Sequence, residues 1–418
     1  MRDETIAIAY GYEKDSNHTM NVPIYQTTAY EYESIESAAR LFNLEEEGNI
    51  YTRIGNPTTE IFEKRIAKLE GGISALAVAS GMASIFYSIA NLVKSGDNVI
   101  ASTKLYGGTI TLLTQTLKNF GVDVKYFDVH KAGELDNLID KNTKAIIFES
   151  VANPALSVPD FDTITKIADE KGVITICDNT IATPYGCKPI KLGVDIVVHS
   201  ASKYIVGNGS AIAGVIIESK KAKSKLQNHP YFSQPDESYH GLVYLEKFDN
   251  PFIARAKLAL LRDFGAVISP FNSWLLIQGL ETLSLRIKQH STSATKIAKF
   301  LQKEGLKVNY PFLKTDENYK YAKKYLKYAG GIISFEVDSF QKAKEIVQNL
   351  KLFSLVTNIG DSKSIVTHPA STTHQQLTKE ELQQAGVPQG LIRLSIGLEN
   401  PNDLIKDLKN ALKGKNWK

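Results

Sequence analysis

The chain has 418 residues, 43% of them hydrophobic and 22% charged, with a formal net charge of +4. These are ordinary globular values that exclude disorder over most of the length, and so small a net charge calls for neither a nucleic-acid nor an anionic-membrane partner. The start MRDETIAIAY is not a charged-then-apolar leader, and no run of about 18 apolar residues occurs, so a soluble, cytoplasmic protein with one large and one smaller domain is expected.

The first fifty residues lack regular periodicity, and NVPIYQTTAYEYES reads as an extended arm with aromatic anchors suited to packing on a partner subunit. A helix follows, with Thr58 or Thr59 as its cap, Ile61, Phe62, Ile66 and Leu69 on one face, and Gly71-Gly72 as its stop. Strand-like runs then recur at 74–80, 98–102, 122–127, 144–150, 173–178, 195–200 and 213–219. Most are separated by helical lengths, at 82–94, 107–120, 131–141 and 160–171. The runs are continuously apolar and rich in Val and Ile, as strands are when both faces of a parallel sheet are covered. Cys177, inside VITIC, reads as a core residue.

Residues 220–255 read as a long polar and aromatic connection, and long loops are often functional. A long helix from Phe271 to Gly305 leads into a smaller C-terminal α/β unit with strands at 330–337, 364–368 and 391–397. Helices are expected near 340–350, 378–385 and 401–413, and the basic tail reads as a solvated helix face. The pattern divides the chain into an arm (1–57), a large doubly wound, mostly parallel α/β domain (58–260) and a small C-terminal domain (261–418).

Ligands of open α/β sheets sit outside the carboxyl ends of the strands. There the sequence offers Ser80-Gly81-Met82, Tyr106 with Gly107-Gly108, Asn153-Pro154, Asp178-Asn179-Thr180 and Ser200-Ala201-Ser202-Lys203. Taken singly, a lysine after a strand is usually a solvated charge, an aspartate a helix cap, a glycine a turn and a tyrosine a surface aromatic. Together they supply what pyridoxal 5′-phosphate requires: an amine for its aldehyde, a carboxylate for its ring nitrogen and an anion cradle at a helix start. Arg393 lies in the apolar run LIRLSIG, where an uncompensated guanidinium would be costly. A nicotinamide site is disfavoured because no G-x-G-x-x-G joins a strand to a helix; Gly207-Asn208-Gly209 does not complete one, and no Walker-type loop exists. His368 and His374 do not make a metal motif, and no H-E-x-x-H occurs.

From PIYQTTAY to IRLSIGLE, and above all in DNTIATPYGCKPIKLGVDIVVHSASKYIVGNG, the chain resembles the Cys/Met-metabolism PLP enzymes of the aspartate-aminotransferase-like fold type I. Ser202 stands where many members have threonine, which keeps a hydroxyl. The resemblance implies that Lys203 holds the cofactor and shuttles protons, and that Asp178 pairs with the pyridine nitrogen. It implies that Asn153 meets the ring oxygen, that Tyr106 stacks and assists proton transfer, and that Ser80, Gly81, Met82, Ser200 and Ser202 bind phosphate. Tyr51 and Arg53, in YTRIGNPT, would reach that phosphate from a neighbouring subunit, implying at least a dimer and by family habit a tetramer. Arg393 would clamp the substrate carboxylate, with Asn358 and Tyr51 beside it.

Within the family, the sulfhydrylase branch is favoured by three features. Gly108 stands where methionine γ-lyase has a reactive cysteine, Asn358 stands where lyases more often have serine, and the 220–255 connection resembles the sulfhydrylase insertion. The implied reaction joins O-acetyl-L-homoserine and sulfide. The alternatives are a cystathionine γ-synthase or a methionine/cystathionine γ-lyase.

Overall fold

In the computed structural model, which describes residues 1–373, 375, 382 and 386–414, the seven apolar runs become one sheet. Its strands are β1 (Ser74–Val78), β2 (Asn98–Ser102), β3 (Asp123–Phe127), β4 (Thr143–Glu149), β5 (Ile174–Asp178), β6 (Ile196–His199) and β7 (Gly214–Glu218). Their order is β1-β7-β6-β5-β4-β2-β3. Only β7 runs against its neighbours β1 and β6. The chain between β6 and β7 turns back without a crossover helix, and a parallel return needs one. Adjacent residues of one strand feed different cores: Ile174 and Ile176 pack on one side of the sheet, Cys177 on the other. This double coverage is the physical origin of the unbroken apolar runs.

A second sheet holds β8 (Lys307–Asn309), β9 (Ile332–Glu336), β10 (Ser354–Leu355), β11 (Ile365–Thr367) and β12 (Leu391–Ser395), in the order β10-β11-β12-β9-β8. It is antiparallel except where β10 meets β11. The edge strands β8 and β10 are short and largely exposed, so no apolar run announces them.

Several expectations need correction. The first fifty residues are not wholly irregular: Asp3–Ala9 and Ile35–Phe42 are helices. The first buries only Ile6 and Ala7 and is too short to show a repeat. Arg65, on helix Pro57–Glu70, holds it by donating to Ala7 O and Tyr10 O, both at 3.0 Å. The cap of helix Pro57–Glu70 is Asn56, whose side chain accepts from Thr58 N. Thr58 is drawn away by the arm, its hydroxyl donating to Pro23 O and accepting from Tyr25 N.

The helix expected at 107–120 is interrupted by a π-helical stretch, Leu112–Thr116, and that at 131–141 is a 3-10 turn (Val129–Glu134) running into Leu135–Leu138. Residues 220–255 are a series of short helices; Phe232, Tyr244 and Phe252 are fully buried, so the segment packs as a layer of the fold. The expected helix at 378–385 lies outside the described residues apart from Leu382, as do His374 and the last four residues of the tail. Among the described residues no helix is long and apolar enough to cross a membrane.

Helix Pro270–Lys303 connects the two sheets and crosses the turn that follows β6. The crossing is close: a Cβ on Gly279 would lie 2.2 Å from Ile205 O. Seven residues on, Arg286 donates to Tyr204 O (2.6 Å), Ile205 O (3.0 Å) and Gly279 O (2.6 Å). Burial pushes this guanidinium down to about 10, and three carbonyls compensate it. The 203–207 turn is thereby clamped from outside.

Gly279→Ala should therefore destabilise the protein by about 1–3 kcal/mol, the usual cost of overpacking. Urea unfolding at constant m-value checks this; an unchanged midpoint would show the crossing to be slack.

Candidate active site

Strands β4, β5 and β6 end level with one another. Glu149 pairs in register with Asp178, and Asp178 with Val198. The segments that leave them therefore start from one rim. The rim is stitched by Ser150 N to Asp178 O and by Asn179 N to Val198 O, each 2.9 Å. Asp178 Oδ1 accepts from Thr180 N at 2.9 Å, and Thr180 Oγ1 accepts from Ser200 N at 2.8 Å. Lys203 N in turn donates to Ser200 O. A short relay thus ties the aspartate to the turn that carries the lysine.

Lys203 Nζ donates to Asn358 Oδ1 at 2.6 Å. Burial pushes its amine below the ordinary lysine range, and the Arg393 charge adds to the effect. Arg393 stands on β12, is 3% exposed, and reaches across to the large sheet. Its guanidinium donates to Asn153 Oδ1 (2.9 Å), Asn358 O (3.2 Å) and Thr367 Oγ1 (3.2 Å). No carboxylate pairs with it among the described residues, and burial pushes it down to about 10. A guanidinium has five N–H donors in a planar fork, so a buried cation with neutral partners retains capacity for an anion.

Beneath the rim lie two carboxyls. Burial raises Asp178 above the usual carboxylate range, offset by the Thr180 hydrogen bonds and by His199. Burial raises Glu149 well above that range, and the charge on Asp178 raises it further. Glu149 was not among the residues singled out from sequence, although a carboxylate closing a buried apolar strand is a readable signal. It accepts Tyr106 N at 2.6 Å and Asn153 N at 3.0 Å.

Helix Gly81–Ala90 starts at the same rim. Its cap Ser80 takes Ala83 N, leaving the N–H groups of Gly81 and Met82 without an acceptor among the described residues. A Cβ on Gly81 would lie 2.6 Å from Ser200 Cβ, so this helix start abuts the Ser200–Lys203 turn. Ser202 Oγ donates to Ala213 O (3.1 Å) and accepts from Ala213 N (2.9 Å), pinning that turn to the start of β7. Tyr106 is half-exposed, with its ring over Gly108, where a Cβ would lie 2.6 Å from Tyr106 Cε1. An open cleft of about 370 Å³ runs past Met82 and Tyr106 to Thr373.

The structure thus gathers Lys203, Asn358, Arg393 and Asn153 in one hydrogen-bonded cluster, with Asp178, Tyr106, Ser80, Gly81, Met82, Ser200 and Ser202 around it. Tyr51 and Arg53 are not brought there within one chain. They contact each other, the guanidinium 5.5 Å from the ring centroid, and Tyr51 is exposed. An amine of lowered basicity, a buried carboxyl at the same rim, unused helix N–H groups beside a missing Cβ, and neighbouring hydroxyls fit pyridoxal phosphate.

The comparisons agree. The family model for Cys/Met metabolism PLP-dependent enzymes matches residues 4–413. The O-acetyl-L-homoserine sulfhydrylase of Leptospira meyeri is 46% identical over 430 residues, covering 99% of this chain and 97% of the relative. The homocysteine synthase of Schizosaccharomyces pombe is 43% identical, covering 98% and 97%. A crystal structure of a putative O-acetylhomoserine (thiol)-lyase from Campylobacter jejuni, with N′-pyridoxyl-lysine-5′-monophosphate at one position, superposes with a TM-score of 0.97 at 48% identity, covering 99% of this chain and all of that one.

The lowered basicity of Lys203 has a measurable sign: its amine is uncharged at a pH where surface lysines are still protonated. Borohydride trapping of pyridoxal phosphate, mapped by mass spectrometry, should label Lys203 first. Arg393→Gln removes a repelling cation and should move the half-labelling pH upward; a fixed midpoint would rule out the coupling.

Proposed function

The chain belongs to the Cys/Met metabolism PLP-dependent enzymes, and from that premise we propose that it converts O-acetyl-L-homoserine and sulfide into L-homocysteine and acetate. The observation that carries this reading is the buried Arg393 fork, without a carboxylate partner among the described residues and one asparagine away from Lys203. A substrate α-carboxylate is the anion that such a fork fits, through two parallel charge-assisted hydrogen bonds. The names of the relatives point to the acylated homoserine.

Pyridoxal phosphate, when bound, supplies an electron sink for a carbon next to nitrogen. The protein's own groups do the rest. Asp178 would hold the ring nitrogen in its protonated form, and Asn153, already a partner of Arg393, would meet the ring oxygen. Gly81 and Met82 would present N–H groups to the phosphate, with Ser80 and Ser200 adding hydroxyls and Ser202 doing so on exchanging its hydrogen bond to Ala213 O. Tyr106 would cover the ring and help to move protons. Arg393 and Asn358 orient the substrate so that its α-hydrogen faces Lys203 Nζ. Burial and then the Arg393 charge disfavour the cation of that amine, which readies it to take the α-proton and later return it. At Cγ the bond to acetate oxygen breaks and a bond to sulfur forms, so hydrosulfide replaces acetate with no net oxidation.

Tyr51 and Arg53 complete the phosphate site of a neighbouring subunit, and Tyr51 also lines that subunit's substrate pocket. The enzyme then works as a homo-oligomer, a dimer of dimers, in the cytoplasm. The boundaries 1–57, 58–260 and 261–418 separate the arm, the cofactor-holding unit and the small unit that brings Arg393.

Lys203→Ala should abolish both turnover and the visible absorbance of the bound cofactor while leaving the apoprotein's melting temperature nearly unchanged; full activity would refute the assignment. Arg393→Lys loses the planar fork and should raise KM for the acylated homoserine roughly 10- to 100-fold, the worth of a charge-assisted hydrogen bond. A matrix of acyl donors against sulfur nucleophiles, with homocysteine quantified, separates replacement from elimination; dominant 2-oxobutyrate would favour a γ-lyase.

A further inference from the structure

Glu149 is 6% exposed and ends β4 directly beside Asp178, its register partner on β5. No cation pairs with it among the described residues. The one charged group acting on it is Asp178 on β5; its other partners are the backbone N–H groups of Tyr106 and Asn153. Both carboxyls line a small cavity under the rim, along with Thr109, Leu105 and Val198. Its free volume, about 10 Å³, takes one water and nothing larger. Thr109 is 2% exposed, and its hydroxyl has no hydrogen-bond partner, although such buried groups are nearly always satisfied.

Two adjacent buried carboxyls cannot both ionise cheaply. On the functional reading above, on which this inference rests, Asp178 carries the charge that faces the ring nitrogen. Glu149 meets two backbone donors, Tyr106 N at its Oε1 (2.6 Å) and Asn153 N at its Oε2 (3.0 Å), and with Asp178 charged beside it in a buried place the protonated acid is the less costly state.

We propose that Glu149 is a positioning residue held as the neutral acid: it fixes the backbones of Tyr106 and Asn153 together, leaves Asp178 as the single negative charge under the cofactor ring, and shares one buried water with Thr109. One side chain then sets both the residue that covers the ring and the residue that meets its edge.

The test uses full-length apo- and holoenzyme. Glu149→Gln keeps an acceptor for Tyr106 N but turns its amide towards Asn153 N; Glu149→Ala releases both. The dissociation constant for pyridoxal phosphate should rise about 2- to 10-fold for each hydrogen bond released, with altered visible circular dichroism of the bound cofactor. The pH midpoint of the cofactor absorbance should stay in place in Glu149→Gln, because both side chains are neutral. Had Glu149 been an anion, losing its charge would lower that midpoint, and that result overturns the proposal. So does unchanged affinity and dichroism in both variants. If wild-type protein fails to bind pyridoxal phosphate at all, the functional reading itself falls. Should the variants not fold, a high-resolution crystal structure of the wild-type holoenzyme decides. Unequal C–O bonds at Glu149 and a water on Thr109 support the assignment; equal bonds or a dry cavity overturn it.

Discussion

The site depends on a guanidinium placed where water cannot reach it. Arg393 comes from the second sheet and donates to Asn153 on the rim of the first and to the backbone of Asn358, whose side chain holds Lys203. Moving one sheet relative to the other would leave these donors unsatisfied in a buried place, which costs more than the bonds contribute when made. The contrast with Arg286 is instructive. That cation is also buried, but it spends its donors on three carbonyls and becomes a structural rivet. Arg393 meets a carbonyl, an amide and a hydroxyl, and keeps the directional capacity that a carboxylate ligand would use.

The electrostatics of the rim follow from the same economy of charge. Burial, and then the Arg393 cation, lowers the basicity of Lys203, while burial, and then the Asp178 charge, raises Glu149. Packing makes this possible: the strands end in register, so charges separated in sequence meet within one hydrogen-bonded patch.

Much of this was legible in the sequence. The seven runs of the large sheet match β1–β7 within a residue or two because burial on both faces leaves unbroken Val and Ile tracts. Lys203, Asp178 and Asn153 could be placed because strand ends are where such residues collect. The antiparallel direction of β7 was not legible, since strand direction leaves no trace in residue type. The helix Asp3–Ala9 and the edge strands β8 and β10 are too short to show a period. The cap at Asn56 was misassigned because the competing threonine is recruited by a residue more than thirty positions upstream. Glu149 closes β4 as Asp178 closes β5 and was equally visible in the sequence as a strand-end carboxylate; which backbone groups it meets is a property of the fold. Tyr51 and Arg53 lie apart from the cluster in one chain, and their assigned roles come from resemblance alone.

The pairing of Ser202 with Ala213 carries a further meaning. Two reciprocal hydrogen bonds join the lysine-bearing turn to the residue just before β7, so the chain between them is a loop clasped at both ends. The exposed residues of that loop can change without moving the lysine, whereas undoing the clasp would release at once the turn that carries it and the start of a strand buried on both faces.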